Sequence, residues 1–192
     1  MLTVAKSNLI VGLSGASGVV YGIRLLELVR GLGSIETHLV VSRAARKTIA
    51  LETNWVPEDV ESLADFSYPP EDIGARIASG SFPAVGMVVI PCSMKSLSAI
   101  ATGLCGDLLS RAADVALKEG RPLLLAVRES PLHLGHLRRM VEAAEAGAII
   151  FPPLPAFYTH PQTLEDVIDQ TVGRILNRLG IQNDYYRAWM GT

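Results

Sequence analysis

Hydrophobic residues along this chain follow two patterns. Five short apolar runs predict strands that are buried on both faces of a parallel sheet, at residues 9–13, 37–41, 85–90, 122–127 and 148–151. Apolar residues spaced three or four positions apart predict helices between these runs, from Val19 to the glycines Gly31 and Gly33 and then at residues 44–51, 96–101, 108–118 and 134–146. A capping-box pattern of Thr163 and Asp166 predicts a final long helix, whose inward positions are expected to be Leu164, Ile168, Ile175 and Leu179.

The alternation of strands and helices predicts the fold class. A strand, a helix and another strand, repeated along the chain, are typical of an α/β fold with a mostly parallel sheet and helices on both faces. Residues 54–83 are richer in acidic residues, proline and glycine, which predicts a long excursion with one or two helical turns. Because the sequence shows no internal repeat or linker, we expect residues 1–192 to form a single domain.

Composition excludes several classes of protein. Of the 192 residues, 49% are hydrophobic and 19% are charged, which excludes a disordered chain, and the net charge of −2 gives no electrostatic footprint for nucleic acid. The apolar runs are far shorter than the ~20 residues of a membrane span. Two cysteines, Cys92 and Cys105, are too few for a disulfide framework and favour a cytoplasmic location. The mean hydropathy of +0.31 is high for a monomer, so we expect buried subunit interfaces.

Two loops rich in small and hydroxyl-bearing residues follow predicted strands. The first loop, from Gly12 to Gly18, leads into a helix whose free N–H groups and positive dipole end can bind phosphate. Its glycine spacing is neither the dinucleotide fingerprint nor the Walker pattern, and Ser42 stands where an NAD site needs an acid. The second loop runs from Pro91 to Ser96. Because both loops lie at the carboxyl ends of parallel strands, they can face one crevice, which suits a mononucleotide such as FMN.

Charged and aromatic residues elsewhere supply further candidate chemistry. Glu52 stands at the end of a predicted helix, where a carboxylate can take or give a proton. A phosphate cradle could be formed by Lys118, Arg128, Arg174 and Tyr158. The histidines and cysteines show no spacing typical of a metal site. Structural interpretations stay open: a tight turn for the first loop, helix caps for Ser93 and Ser96, and solvated surface positions for the charged residues.

Several motifs occur together and in order along nearly the whole chain. They are SGASG, SRAARKTIALET, ASGSFP, PCSMKSLS, RAADVALKEGRPL, VRESPLHLGHL and PPLPAFYTHPQTLED. This set resembles the flavin prenyltransferase family, long described as aromatic acid decarboxylases. The resemblance implies a three-layer αβα, flavodoxin- or Rossmann-like fold and a homododecamer.

The same resemblance implies an activity. Members of the family join the dimethylallyl group of dimethylallyl monophosphate to N5 and C6 of reduced FMN, without a metal. The product, prenylated FMN, is passed to a UbiD-type decarboxylase. Whether the pathway served is ubiquinone synthesis or aromatic acid breakdown stays open.

The resemblance also implies roles for individual residues. It assigns FMN binding to Gly15, Ala16, Ser17, Gly18, Ser42, Ser93, Met94, Lys95, Ser96 and Arg128. It assigns the dimethylallyl phosphate to Tyr158 and Arg174, with Ser79, Lys118 and Glu129 as further members, some of them from a neighbouring subunit. The implied catalytic residues are Glu52, which would manage protons on the flavin, with Ser17, Tyr158 and Arg174.

Three other functions are compatible with the fold. One is a flavin-dependent decarboxylase that acts on a peptidyl cysteine or on phosphopantothenoylcysteine, although the PCSMKS loop and the lack of a histidine close to the first glycine loop speak against it. Another is an FMN carrier of the flavodoxin type, which needs no second phosphate site. The third is direct decarboxylation of aromatic acids.

Overall fold

The computed structural model describes residues 6–191 and contains one six-stranded, all-parallel sheet. The strands are β1 (Ser7–Leu13), β2 (Ile35–Val41), β3 (Phe66–Tyr68), β4 (Gly86–Cys92), β5 (Leu123–Val127) and β6 (Ile149–Ile150). Their spatial order is β3-β2-β1-β4-β5-β6. The first three strands of the chain therefore extend from β1 to one edge of the sheet, and the last three extend from β4 to the other edge. Loops that follow β1 and β4 diverge at this switch point and leave a crevice between them.

Seven α-helices connect or follow the strands in the described part of the chain. They are α1 (Val19–Leu32), α2 (Arg43–Glu52), α3 (Pro57–Glu61), α4 (Met94–Ala101), α5 (Leu108–Lys118), α6 (Leu134–Glu145) and α7 (Leu164–Arg178). Short 3₁₀ turns lie at Arg76–Ala78 and Phe157–Thr159. Capping boxes at Asp107 and Thr163 satisfy the first N–H groups of α5 and α7, which explains why these helices begin where they do.

Helices cover both faces of the sheet and so make three layers. Alternate residues of β1 point to opposite faces: Leu9 and Val11 pack with α1 and α7, while Ile10 packs in a second cluster with α4 and α5. Such burial on both faces requires strands without polar alternation. The predicted three-layer α/β fold is confirmed. Among residues 6–191, no helix has both the length and the apolar character needed to cross a membrane.

The structure corrects three details of the sequence prediction. Leu164 does not face inward, because it is the first residue of α7, precedes the turns that pack on α1, and is 72% exposed. The strand predicted at 85–90 lies at Gly86–Cys92, since Pro91 and Cys92 continue the extended backbone beside β5. The excursion at 54–83 contains the expected helical turns, and also the edge strand β3, which the polar sequence around it concealed.

Candidate active site

The loop after β1 approaches α2 so closely that only glycine fits at its centre. A Cβ atom on Gly15 would lie 2.3 Å from the Cβ of Ala44, and Gly18, just before α1, has a φ of +93°, a conformation that side chains disfavour. Between these glycines Ala16 is buried and Ser17 is partly buried. The resemblance assigned all four residues to FMN, and the structure places them together at the carboxyl end of the sheet.

A buried serine that the sequence analysis did not single out joins this loop to the second one. Ser14 is 1% exposed, and its hydroxyl donates to the Pro91 carbonyl (2.8 Å) and accepts from the Ser93 N–H (2.7 Å). The Ser93 hydroxyl in turn accepts from the Ser96 N–H at 3.3 Å as the cap of α4. The capping interpretation of Ser93 is therefore confirmed. Ser14 holds the two loops at a fixed separation across the crevice.

The crevice itself is a cavity of about 440 Å³ with polar and cationic walls. Its lining residues are Gly15, Ser42, Arg43, Ala44, Pro70, Glu71, Ser93, Lys95, Ser96, Gly106 and Asp107. Glu71 accepts from Arg43 (2.6 Å), which balances its charge, and Asp107 accepts from the Ser110 N–H (2.8 Å) as the cap of α5. Lys95 and the serine hydroxyls are the groups of this wall that can bind a phosphate monoester.

Glu52 lies at the end of α2 and reaches back to the start of α1. Its Oε2 atom accepts a hydrogen bond from the Gly18 N–H at 2.8 Å. Ser42, at the other end of α2, donates its N–H to the Leu13 carbonyl at 2.9 Å, so both ends of this helix adjoin the β1–α1 loop. The carboxylate is exposed to solvent and lies beside the positive end of the α1 dipole, at the end of α2 away from the crevice-lining residues Ser42, Arg43 and Ala44.

Arg128 and Glu129 follow β5 and are both exposed. The Arg128 N–H donates to the Cys92 carbonyl at 3.0 Å, which places its backbone directly beside the second loop. The other FMN candidate in this loop, Met94, is partly buried against the core beneath α4. The backbone of Arg128 is therefore adjacent to the second loop, although Arg128 is not among the residues that line the cavity.

Tyr158 and Arg174 line a second cavity, of about 230 Å³, together with Phe151, Leu154, Ala156, Gln170, Thr171 and Tyr186. Among the described residues, none lines both this cavity and the crevice. The Arg174 Nη1 atom donates to the Tyr186 hydroxyl at 2.9 Å, and its guanidinium carbon lies 4.8 Å from the centre of the Tyr186 ring. The Tyr158 hydroxyl donates to the Arg187 carbonyl at 2.9 Å. The structure thus brings these two predicted residues to one cavity.

Ser79 and Lys118 lie in a third region of the structure, apart from the crevice and from the second cavity. Lys118 ends α5, at the opposite end of that helix from Asp107 and the crevice, and it pairs with Glu119. The loop that carries Ser79 lies against it, because a Cβ on Gly80 would meet the Lys118 Nζ at 2.6 Å. The Ser79 hydroxyl is 2.9 Å from that of Ser81. Within one protomer, these two residues do not join Tyr158 and Arg174.

Cysteine and histidine chemistry has little support in this structure. Burial raises the pKa of the Cys92 thiol to about 12, so it stays protonated and unreactive. His133 caps α6 by accepting from the Gly135 N–H (3.0 Å), and its ring is tilted against that of His136, with 3.6 Å between ring centroids. Over residues 6–191, no three His, Cys, Asp or Glu side chains are grouped so that they could hold a metal ion.

Sequence reasoning missed three residues around the second cavity. Gln170 and Tyr186 contact Tyr158 and Arg174 directly, and Trp189 meets the Tyr158 ring edge-on, with 5.6 Å between ring centroids. One signal was available for Gln170, a polar residue inside the apolar stripe of α7. The segment after α7 shows no periodicity, so nothing in the sequence predicted that it folds back over this cavity.

The fold and the crevice define a class of protein. A crevice at the switch point of a doubly wound parallel sheet, walled by hydroxyl groups and cations, is typical of α/β proteins that bind a nucleotide or flavin phosphate. In agreement, the family described as flavoprotein matches residues 3–176.

Comparison with known proteins narrows the class. The chain is 57% identical to the flavin prenyltransferase UbiX of Salmonella typhimurium over 96% of this chain and 99% of that protein. A crystal structure of AnUbiX in complex with FMN and dimethylallyl pyrophosphate superposes with a TM-score of 0.94 at 48% identity, covering 97% of this chain and 99% of that one. A dodecameric FMN-dependent UbiX-like decarboxylase from Escherichia coli O157:H7 gives 0.93 at 48% identity, covering 96% and 100%. The chain therefore belongs to the flavoprotein family and, within it, to the UbiX flavin prenyltransferases.

Proposed function

We propose that this protein transfers the dimethylallyl group of dimethylallyl monophosphate to N5 and C6 of reduced FMN. The observation that carries the proposal is the presence of two separate cavities, each lined by at least one cationic side chain that can bind a phosphate monoester. One follows β1 and β4, and the other holds Arg174 and Tyr158. An FMN carrier needs only the first cavity, so the second favours a transferase with a phosphorylated second substrate.

The crevice residues fit FMN. Ser42, Ser93, Ser96 and Lys95 offer hydroxyl and ammonium groups to the phosphate and ribityl chain, and Gly15 lets the flavin approach the backbone. Reduced FMN, when bound, supplies the electron-rich N5 and C6 positions to which the dimethylallyl carbons become joined. We assign FMN binding also to Arg128, whose backbone adjoins the second loop.

Arg174 and Tyr158 act on the leaving phosphate. As the bond between the allylic carbon and oxygen breaks, the phosphate leaves with the electron pair, and a guanidinium and a hydroxyl group stabilise its growing charge. The apolar side chains of Phe151 and Leu154 in the same cavity offer the electron-poor allyl group a wall without nucleophiles. Glu52, whose carboxylate accepts from the Gly18 N–H of the first loop, receives the proton that the flavin loses.

A complete site requires more than one copy of the chain. The crevice, the cavity of Tyr158 and Arg174, and the Ser79–Lys118 pair lie in different parts of one protomer. We propose a homododecamer in which a neighbouring subunit supplies some of the phosphate residues, including Lys118, while Glu129 adds a carboxylate beside Arg128. The exposed apolar side chains of Leu134, Leu137 and Val141 on α6 support burial between subunits. Light scattering should give a mass well above that of a dimer.

The remaining parts of the proposal concern the domain organisation, the cellular location and the fate of the product. Residues 1–192 act as one flavoprotein domain in the cytoplasm. The product, prenylated FMN, passes to a UbiD-type decarboxylase.

Anaerobic incubation with reduced FMN and dimethylallyl monophosphate tests the proposal, followed by mass analysis of the extracted flavin. We expect a flavin heavier by one dimethylallyl unit, together with an equal amount of inorganic phosphate. Oxidised FMN is the matched control and should remain unmodified. Unmodified flavin in both reactions, with FMN still bound, would favour the carrier function.

A further inference from the structure

Gln170 is a buried polar residue for which the proposed reaction gives no role so far. It lies in the middle of α7, one turn before Arg174, and is 6% exposed. A buried amide costs free energy unless its donors and acceptor are paired, so its partners indicate what it does.

Three hydrogen bonds fix the amide of Gln170. Its Oε1 accepts from the Arg187 N–H (2.9 Å), and its Nε2 donates to the Arg187 carbonyl (3.0 Å) and to the Tyr158 hydroxyl oxygen (3.2 Å). A backbone N–H can only donate and a backbone carbonyl can only accept, so the amide has one possible orientation. The Gln170 amide therefore pairs with the backbone N–H and carbonyl of Arg187, as a neighbouring β-strand would.

This pairing determines how the Tyr158 hydroxyl is used. Its oxygen accepts from Gln170, so its single hydrogen is free to donate, and it donates to the Arg187 carbonyl. A hydroxyl that already accepts a hydrogen bond is polarised and becomes a better donor. The same pairing holds the chain after Arg187, where Trp189 lies edge-on to the Tyr158 ring.

We propose that Gln170 is a positioning residue that aims the Tyr158 hydroxyl and docks the segment 185–189 beside the second cavity. The inference rests on the proposed function, in which Tyr158 donates to the phosphate of dimethylallyl monophosphate. When that phosphate binds, the Tyr158 hydrogen turns from the Arg187 carbonyl to a phosphate oxygen. Gln170 keeps its bond to the phenol oxygen and so holds the hydroxyl in reach.

A double-mutant cycle tests the aiming role. Gln170→Met conserves volume and removes the amide, and Gln182→Met is the matched control at an exposed glutamine. We expect Gln170→Met to raise the KM for dimethylallyl monophosphate by about tenfold with FMN affinity unchanged, and to lower the unfolding temperature because three hydrogen bonds are lost. Because Gln170 acts through Tyr158, the variant carrying both Gln170→Met and Tyr158→Phe should be no worse than Tyr158→Phe alone.

The cycle has two outcomes that overturn the proposal. One is an unchanged KM in Gln170→Met, and the other is a double variant in which the two effects multiply. If Gln170→Met does not fold, Gln170→Asn takes its place, because it keeps the amide but is one methylene too short to span Tyr158 and Arg187. The same rise in KM is then expected.

A second measurement needs no substrate and tests the docking role alone. The chain has two tryptophans, so a Trp55→Phe background leaves Trp189 as the only reporter. We expect Gln170→Met to shift Trp189 emission to longer wavelength and to increase its quenching by acrylamide, while Gln182→Met does neither. Equal spectra and quenching in both variants would overturn the docking role. If the parent protein transfers no dimethylallyl group, the proposed function fails, and this measurement still decides whether Gln170 docks the segment.

Discussion

Replacing Gly15 with alanine tests whether the close approach of the first loop to α2 builds the crevice. The added methyl group would lie 2.3 Å from the Ala44 Cβ and 3.2 Å from two backbone atoms of Ala44. Carbon atoms pack best at ~3.5–4.0 Å, so the loop and α2 must separate by about 1 Å. Overpacking of this kind costs about 1–3 kcal/mol.

The hydrogen bond from the Ser42 N–H to the Leu13 carbonyl resists that separation, because it ties the start of α2 to the end of β1. Ser42 and Gly15 both line the crevice, so the strain falls on the wall that would hold FMN. We expect the Kd for FMN to rise at least about tenfold, which corresponds to ~1.4 kcal/mol. The unfolding temperature of the apoprotein should fall by about 2–10 °C.

The assay is a titration of apoprotein with FMN, followed by flavin fluorescence, together with a thermal unfolding curve. Gly31→Ala is the matched control, because a Cβ on Gly31 meets nothing within 4 Å and the residue lies inside α1. That control should leave FMN affinity unchanged and stabilise the protein by up to ~1 kcal/mol. If Gly15→Ala binds FMN as tightly as Gly31→Ala does, the loop does not shape the site.

Three further predictions concern chemistry and pH. Glu52→Gln keeps an oxygen to accept the Gly18 N–H, so we expect FMN to bind normally while single-turnover formation of prenylated flavin slows by about 10²–10⁴-fold; an unchanged rate would show that Glu52 moves no proton. Arg174→Ala and Tyr158→Phe should retain FMN and raise the KM for dimethylallyl monophosphate by about ten- to a hundredfold in steady-state assays; loss of FMN instead would contradict their placement. Burial, with the nearby Arg76 charge, lowers the pKa of His38, so the unfolded chain binds a proton more readily and stability should fall as the pH drops below about 6.5. Unfolding temperatures measured between about pH 5 and 8 check this prediction. The unfolding temperature of His38→Gln should depend less on pH than that of the parent protein. An equal dependence on pH in both proteins would contradict the prediction.

Much of the fold was predictable because the burial of a strand or helix determines which of its positions are apolar. A strand buried on both faces must be apolar throughout, and a helix packed on one face repeats its apolar residues every three or four positions. The placement of both loops at one edge of the sheet was predictable for a related reason, because loops after parallel strands lie at the carboxyl ends of those strands. The two loops are neighbours because β1 pairs with β4, which the structure shows. Strand β3 was missed, since its three residues are too few to show a period.

Only the tertiary structure decided how distant residues are paired. Ser14 meets Ser93 across 79 positions, and Gln170 meets Arg187 across 17, through hydrogen bonds that leave no periodic pattern in the sequence. The separation of Lys118 from Arg174 is likewise set by which ends of α5 and α7 the sheet brings together. Sequence periodicity reports which residues are buried, because burial depends on the chemistry of each side chain. Which buried groups meet depends on the packing of whole elements, and the folded chain alone determines that.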